Sequence, residues 1–149
     1  MKQFGIAVVM AVGLILLACG GGSSSTSNTV TGNWTATLTN SDGTPAFAFT
    51  TSLTQSNGTA TVTGTNLSFT TSTPCFTSGG SQTGSFVLSG NFNGNISGAF
   101  QLTITSGTPS GNTLVLQGTV NNNTITGTWN LTGSTQGCTG NGTFTLNRM

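Results

Sequence analysis

Histidine, glutamate and tyrosine are missing from this 149-residue sequence, and only Lys2, Asp42 and Arg148 carry a formal charge. Each absence closes off a class of function. Nucleic-acid binding draws on several Lys or Arg to displace counterions from phosphates, so no nucleic-acid partner is expected. General acid–base catalysis draws on His, Glu, Asp, Lys or Tyr at a suitable pKa. Asp42 sits in an Asp-Gly pair that reads as a turn, and no base is at hand to activate a serine nucleophile. The chain therefore reads as non-catalytic. Zinc sites want clusters of His, Cys or carboxylate, so no metal or other cofactor is expected either. Asp42 and Arg148 are taken as an exposed turn residue and an exposed terminal residue.

Low charge often accompanies disorder, but disordered chains are also poor in apolar and aromatic residues. This one has nine Phe and two Trp, and they alternate with polar residues. From Val30 onward the alternation is pervasive and no helical period of useful length competes with it. Trp34, Ala36 and Leu38 share one parity, as do Phe47, Phe49 and Leu53, then Phe86, Leu88 and Phe92. Ile96, Phe100, Leu102 and Ile104 continue the pattern. Leu114, Leu116 and Val120, then Ile125, Trp129 and Leu131, then Phe144 and Leu146 complete it. The opposite parity is mostly Thr, Ser, Asn and Gln, which predicts a sheet with one buried and one wet face. Thr is β-branched and covers the wet face of a strand without charge.

Turn signals divide the strands. Asn40-Ser41-Asp42-Gly43, Ser56-Asn57-Gly58, Asn93-Gly94 and Asn121-Asn122-Asn123 contain the residues that accept positive φ in tight hairpins. Thr70 to Gly84, with Pro74, Cys75 and Gly79-Gly80, reads as a long loop, and Thr105 to Asn112 as another. An apolar–polar–Gly step recurs at Val62-Thr63-Gly64, Leu88-Ser89-Gly90, Ile96-Ser97-Gly98, Leu116-Gln117-Gly118, Ile125-Thr126-Gly127 and Leu131-Thr132-Gly133. Each of these glycines falls on the buried parity. Strand glycines allow sharp bending or close approach of another group, so they mark either the curling of a sheet or room left for a ligand. About eight strands in this length predict a small antiparallel up-and-down β-barrel, whose closure removes exposed edges. A two-sheet β-sandwich is the alternative. A barrel spanning a membrane is disfavoured, because lipid would face the Thr/Ser/Asn parity.

The first nineteen residues follow a different plan. Met1-Lys2-Gln3 is a short cationic head, and Phe4 to Leu17 is apolar with only Gly interruptions. Such a run, ending in small residues, is the hydrophobic region of a secretory signal and is too short to span a bilayer at about 20 residues. Leu16-Leu17-Ala18-Cys19 resembles the lipobox of bacterial lipoproteins. The resemblance implies cleavage between Ala18 and Cys19, thioether lipidation of Cys19 and acylation of the new amine. Residues 1–18 are then a signal peptide, 19–29 a lipidated Gly/Ser-rich tether and 30–149 the all-β domain. More than one acyl chain on a single residue makes a durable anchor. Membrane lipid is the expected partner through Cys19, and the expected location is the cell envelope. Gly20, where an Asp would signal inner-membrane retention, implies the outer membrane if the cell is Gram-negative. Export places Cys75 and Cys138 where disulfides persist, and their pairing is expected.

Val30-Thr31-Gly32-Asn33-Trp34 and Ala60-Thr61-Val62-Thr63-Gly64-Thr65 resemble the opening strands of avidin- and lipocalin-type barrels. That likeness implies a Gly-x-Trp strand closing one barrel end and a small ligand in the mouth at the other. No acidic ligand residue or Tyr is available for biotin-type binding. Thr-x-Thr steps such as Thr103-Ile104-Thr105 lack the regular period of an ice-binding solenoid and fit the outer face of strands. The functional expectation is a lipid-anchored binding or scaffolding barrel whose ligand residues are unknown. The alternative is a structural or adhesive lipoprotein whose Thr/Asn face contacts glycans or proteins. The anchor is directly testable. Cys19→Ala should abolish incorporation of labelled palmitate and release the protein from membranes, whereas a variant that still takes up the label would refute the lipobox assignment.

Overall fold

The computed structural model describes residues 29–70, 73–76, 80–92, 95–107 and 110–149. The expected signal peptide with Ala18, Cys19, the expected tether as far as Asn28, and the Asn93-Gly94 turn signal lie outside the described residues. Eight strands follow one another: β1 (Gly32–Asn40), β2 (Pro45–Thr54), β3 (Thr61–Phe69), β4 (Ser81–Phe92), β5 (Asn95–Thr105), β6 (Thr113–Asn121), β7 (Thr124–Thr132) and β8 (Gly140–Arg148). Each pairs antiparallel with its sequence neighbour, and β8 returns to pair with β1, so the sheet closes in the order β1 to β8. This is the up-and-down barrel expected from the alternation, not the sandwich. The terminal end of the barrel holds Thr29, Met149 and the 55–60 loop. The loop end holds the connections after β1, β3, β5 and β7.

Alternation works as a packing code because successive strand side chains point to opposite faces. Trp34, Phe49, Phe86, Leu102, Ile104, Leu114, Leu116, Ile125 and Leu146 are fully buried inside. Outside, the register aligns polar rows across the wall. One row runs Ser85, Gln101, Gln117, Thr128, Thr143 and Thr39; the next runs Val87, Ala99, Thr119, Thr126, Thr145 and Thr37.

The strand glycines curl the wall. Gly118 and Gly127 face each other across β6 and β7, between Phe100 on one side and Phe144 on the other. A Cβ on Gly127 would lie 2.0 Å from the Gln117 carbonyl oxygen, and one on Gly118 would meet the Thr126 carbonyl oxygen at 2.1 Å and Phe144 Cζ at 3.0 Å. The space over this pair is therefore taken by backbone and by an aromatic ring, the arrangement in which a ring covers glycines at a bend. No ligand volume is reserved there.

Three local expectations change. Gly84 and Gln82, assigned to a loop, belong to β4, which begins at Ser81. Their inward positions carry no apolar side chain, so the strand was masked. Gln82 is buried instead with Thr51, whose hydroxyl donates to Gln82 Oε1 at 2.7 Å. Leu88, assigned to the core, is 43 % exposed. β3 and β4 pair only from Thr61↔Ser85 to Gly64↔Gln82, so β4 runs past Phe86 without β3 beside it. A bulge between Leu88 and Gly90 then sets Gly90 opposite Ser97, in an outward row. Finally, Thr29 is buried although the tether was read as extending through it. Gly127→Val should lower the denaturation free energy by about 2 kcal/mol or more, as overpacking does. Urea titration of wild type and variant checks this, and equal midpoints would mean the wall relaxes at no cost.

Candidate functional site

The chain offers three places where function could reside: the two ends of the barrel and its outer wall. The terminal end is built on Gly32 and Trp34 of β1. The Trp34 indole N–H donates to the Val30 carbonyl at 2.9 Å, folding the entering chain over the barrel bottom. Gln55 completes this plug. Its Oε1 accepts from Val30 N–H at 3.2 Å, and its Nε2 donates to the carbonyls of Thr59 and Phe86 at 2.7 and 3.2 Å.

Arg148 sits across the plug and corrects the reading of this residue as an exposed terminus. It shares the inward parity of Phe144 and Leu146. Its guanidinium lies 4.6 Å from the Trp34 ring centroid and donates to the carbonyls of Thr31 and Thr29. Burial pushes its pKa below the usual value, but an arginine starts so high that it stays charged. Gly32 makes the contact possible. It adopts φ +147°, and a Cβ there would lie 2.8 Å from Arg148 Nη1. The terminal end is thus closed by a cation over an aromatic face and by charged hydrogen bonds to backbone carbonyls.

The loop end is closed by aromatic side chains and a cross-link. Cys75 and Cys138 stand at disulfide distance, with Cα atoms 5.4 Å apart and a sequence separation of 63. Both are buried. The pair joins the β3–β4 loop to the β7–β8 loop and carries Phe76 onto Phe69 in a stacked contact of 5.1 Å. Phe69 touches Phe47 and Phe49, and Phe47 touches Trp129 at 5.5 Å. The Trp129 indole N–H is bonded to the Thr39 carbonyl. Asn112, buried beneath the loops, donates to the Cys75 carbonyl at 2.9 Å and to Thr135 Oγ1 at 3.1 Å. One side chain thereby ties three loops together.

The chain matches no protein-family model, no curated protein and no solved structure. The site has to be judged from its geometry. Among the described residues no group of three or more His, Cys, Asp or Glu could hold a metal ion, and no helix is long and apolar enough to cross a membrane. Asp42 lies in the β1–β2 turn, fully exposed, where Thr44 donates from both hydroxyl and backbone to its Oδ1. Those bonds, the hydroxyl's foremost, hold its pKa below the ordinary carboxylate value. Its partners are those of a turn.

On the outer wall, Ser85, Val87, Ala99, Gln101 and Gln117 border a shallow groove of about 290 Å³ over β4, β5 and β6. Sequence reading missed it, because a groove between outward side chains depends on which residues the register sets side by side. It also missed Gln55 and Asn112, which lie in loops where no periodicity marks burial. Arg148→Gln should lower stability by about 1–3 kcal/mol, the range for bonds to a charged group. Arg148→Lys should restore little, because an ammonium lacks the planar fork. Chemical denaturation followed by Trp fluorescence measures both, and a wild-type midpoint for Arg148→Gln would show that the clamp is ornamental.

Proposed function

We propose that the protein is a lipid-anchored, non-catalytic β-barrel of the bacterial cell envelope that acts through its outer wall, as a structural or adhesive module. The anchor rests on Leu16-Leu17-Ala18-Cys19 and its resemblance to a lipobox. The tether enters the domain at Thr29, on the end sealed by Trp34 and Arg148. With the terminal end toward the membrane, the loop end and most of the wall face outward. Dual or triple acylation holds the domain at the surface without a spanning segment.

The observation that carries the wall over the mouth is the filling of the barrel. Inward positions hold Trp34, Phe49, Phe86, Phe100, Phe144 and Trp129, all buried. The strand glycines that might have left room meet backbone or neighbouring side chains instead, and Phe76 is drawn over the loop end by the Cys75–Cys138 pair. Ligand pockets are concave, with a few convergent polar groups. Here the buried polar side chains Thr51 and Gln82 bond each other, and Gln55 and Asn112 bond to backbone carbonyls at the two ends. The outer wall instead presents rows of hydroxyl and amide side chains to solvent.

Native mass spectrometry of the full-length gene product, purified from its own envelope in mild detergent, tests this reading. The expected species is the chain lacking residues 1–18, with acyl chains at Cys19 and no retained small molecule. A bound molecule released only on unfolding would place the function inside the barrel. An unprocessed or unacylated chain would remove the anchor.

A further inference from the structure

We propose that the groove over β4, β5 and β6 binds a neutral glycan, with Gln101 and Gln117 as its hydrogen-bonding pair and Val87 as its apolar flank. The proposal deepens the outer-wall reading and rests on it. Three features of the groove point to this ligand class.

The first is the polar pair. Gln101 and Gln117 face each other directly across β5 and β6, with Ser85 next in the same row. Both glutamines are exposed, and neither side chain bonds elsewhere in the protein among the described residues. A glutamine amide offers an acceptor oxygen and two N–H donors. Two amides side by side, with a hydroxyl beside them, present the mixed donor and acceptor set that neighbouring sugar hydroxyls require.

The second is relief. Ala99 rises only one methyl above the wall, while Val87 opposite it and the glutamines in the adjoining row stand higher. Val87 is 55 % exposed, one of few large apolar side chains left in water. A concave site with an apolar wall and a few polar groups is the usual form of a small-molecule site. A sugar ring has both faces, C–H and hydroxyl. The groove's volume of about 290 Å³ suits one ring at a time.

The third is what the groove lacks. The domain's charges are Asp42, in the β1–β2 turn, and Arg148, clamped on Trp34, and neither borders the groove. An anion or a metal ion would find no counter-charge. Ala99 and Gln101 lie on β5, which is paired on both sides with β4 and β6, and Gln117 on β6 is paired on both sides as well. Beneath Ala99, Gln101 and Gln117 no backbone edge is free to take an extended peptide by strand addition, the mode in which main-chain bonds supply the affinity; the edge that β4 leaves open lies beyond Phe86, where β3 no longer pairs with it. Recognition falls to side chains, and those present suit a hydroxyl-rich neutral ligand. A shallow site of this kind binds weakly, with Kd of about 1 mM. Many copies anchored on one surface raise the effective strength by avidity.

The test is NMR titration of the folded, disulfide-bonded protein with cellohexaose, maltohexaose, xylohexaose and chitohexaose as probes and oligogalacturonate as the anionic control. At least one neutral probe should shift the side-chain amide signals of Gln101 and Gln117, and the anionic control should not. Gln101→Ala and Gln117→Ala should each weaken that binding by about tenfold, the loss of one good contact. Ala99→Leu, which fills the groove and removes no polar group, should also abolish it. All three positions are exposed, so unchanged melting temperatures will separate lost binding from lost fold. Absence of shifts with every neutral probe overturns the groove assignment, as does binding retained in Ala99→Leu. Shifts confined to Thr126, Thr128 and Thr143 overturn the groove but leave the outer-wall reading standing. Shifts confined to Phe47, Phe69 and Phe76 overturn both.

Discussion

The structure depends on the closure of β8 onto β1. A strand edge exposes unpaired N–H and C=O groups, and proteins usually guard such edges with Lys, Pro or bulges. This domain has no Lys to spend there, and its strands are rich in β-branched, uncharged residues, the composition most prone to edge-to-edge association. Pairing Trp34 to Arg148 through Asn40 to Gly142 removes both outer edges at once. The rest follows from that ring. Closure demands curvature, curvature brings backbone against backbone at Gly118 and Gly127, and the curled wall leaves an interior that a few Phe and Trp side chains fill. One gap remains where β4 runs past β3, and the bulge at Leu88–Gly90 bends the strand there.

Closing a tube leaves two open ends, and the chain seals each with a different chemistry. At the terminal end one of its few charges is placed on an aromatic face and against the carbonyls of Thr31 and Thr29 in the entering chain. At the loop end, where longer connections cost more order, aromatic stacking and the Cys75–Cys138 pair share the task. A cross-link spanning 63 residues is worth roughly 4 kcal/mol in the chain-entropy picture. Such a tie matters in a small domain that has no ion-pair networks to draw on. With both ends stoppered, the wall carries the recognition surface proposed above, and the register decides which of its residues meet.

Strand positions and the buried face were legible because period-two alternation is a direct consequence of strand geometry. Trp34, Leu102 and Leu146 could be placed inside from parity alone. The same rule pointed to Arg148, two residues beyond Leu146, but a terminal charge was set aside as solvent-exposed. The site under Trp34 needed the fold, since only β1–β8 pairing brings residues 29, 34 and 148 together. Gln82 failed for the opposite reason. A polar residue on the inward parity breaks the pattern, and its partner Thr51 lies on a strand 31 residues away. Leu88 kept the right parity, but burial also requires a neighbouring strand, and sequence does not say where β3 stops. The groove at Gln101 and Gln117 belongs to this last kind, a product of register.

Native-state hydrogen exchange along the β1–β8 seam tests closure most directly. In a closed barrel the bonded amides of β1 and β8 exchange only through global unfolding, with the same protection as those of β5 and β6. Equal free energies of opening at the two places are the result this account predicts. Fast exchange confined to β1 and β8 would mean an open sheet with two edges, and it would contradict the closed, stoppered barrel described above.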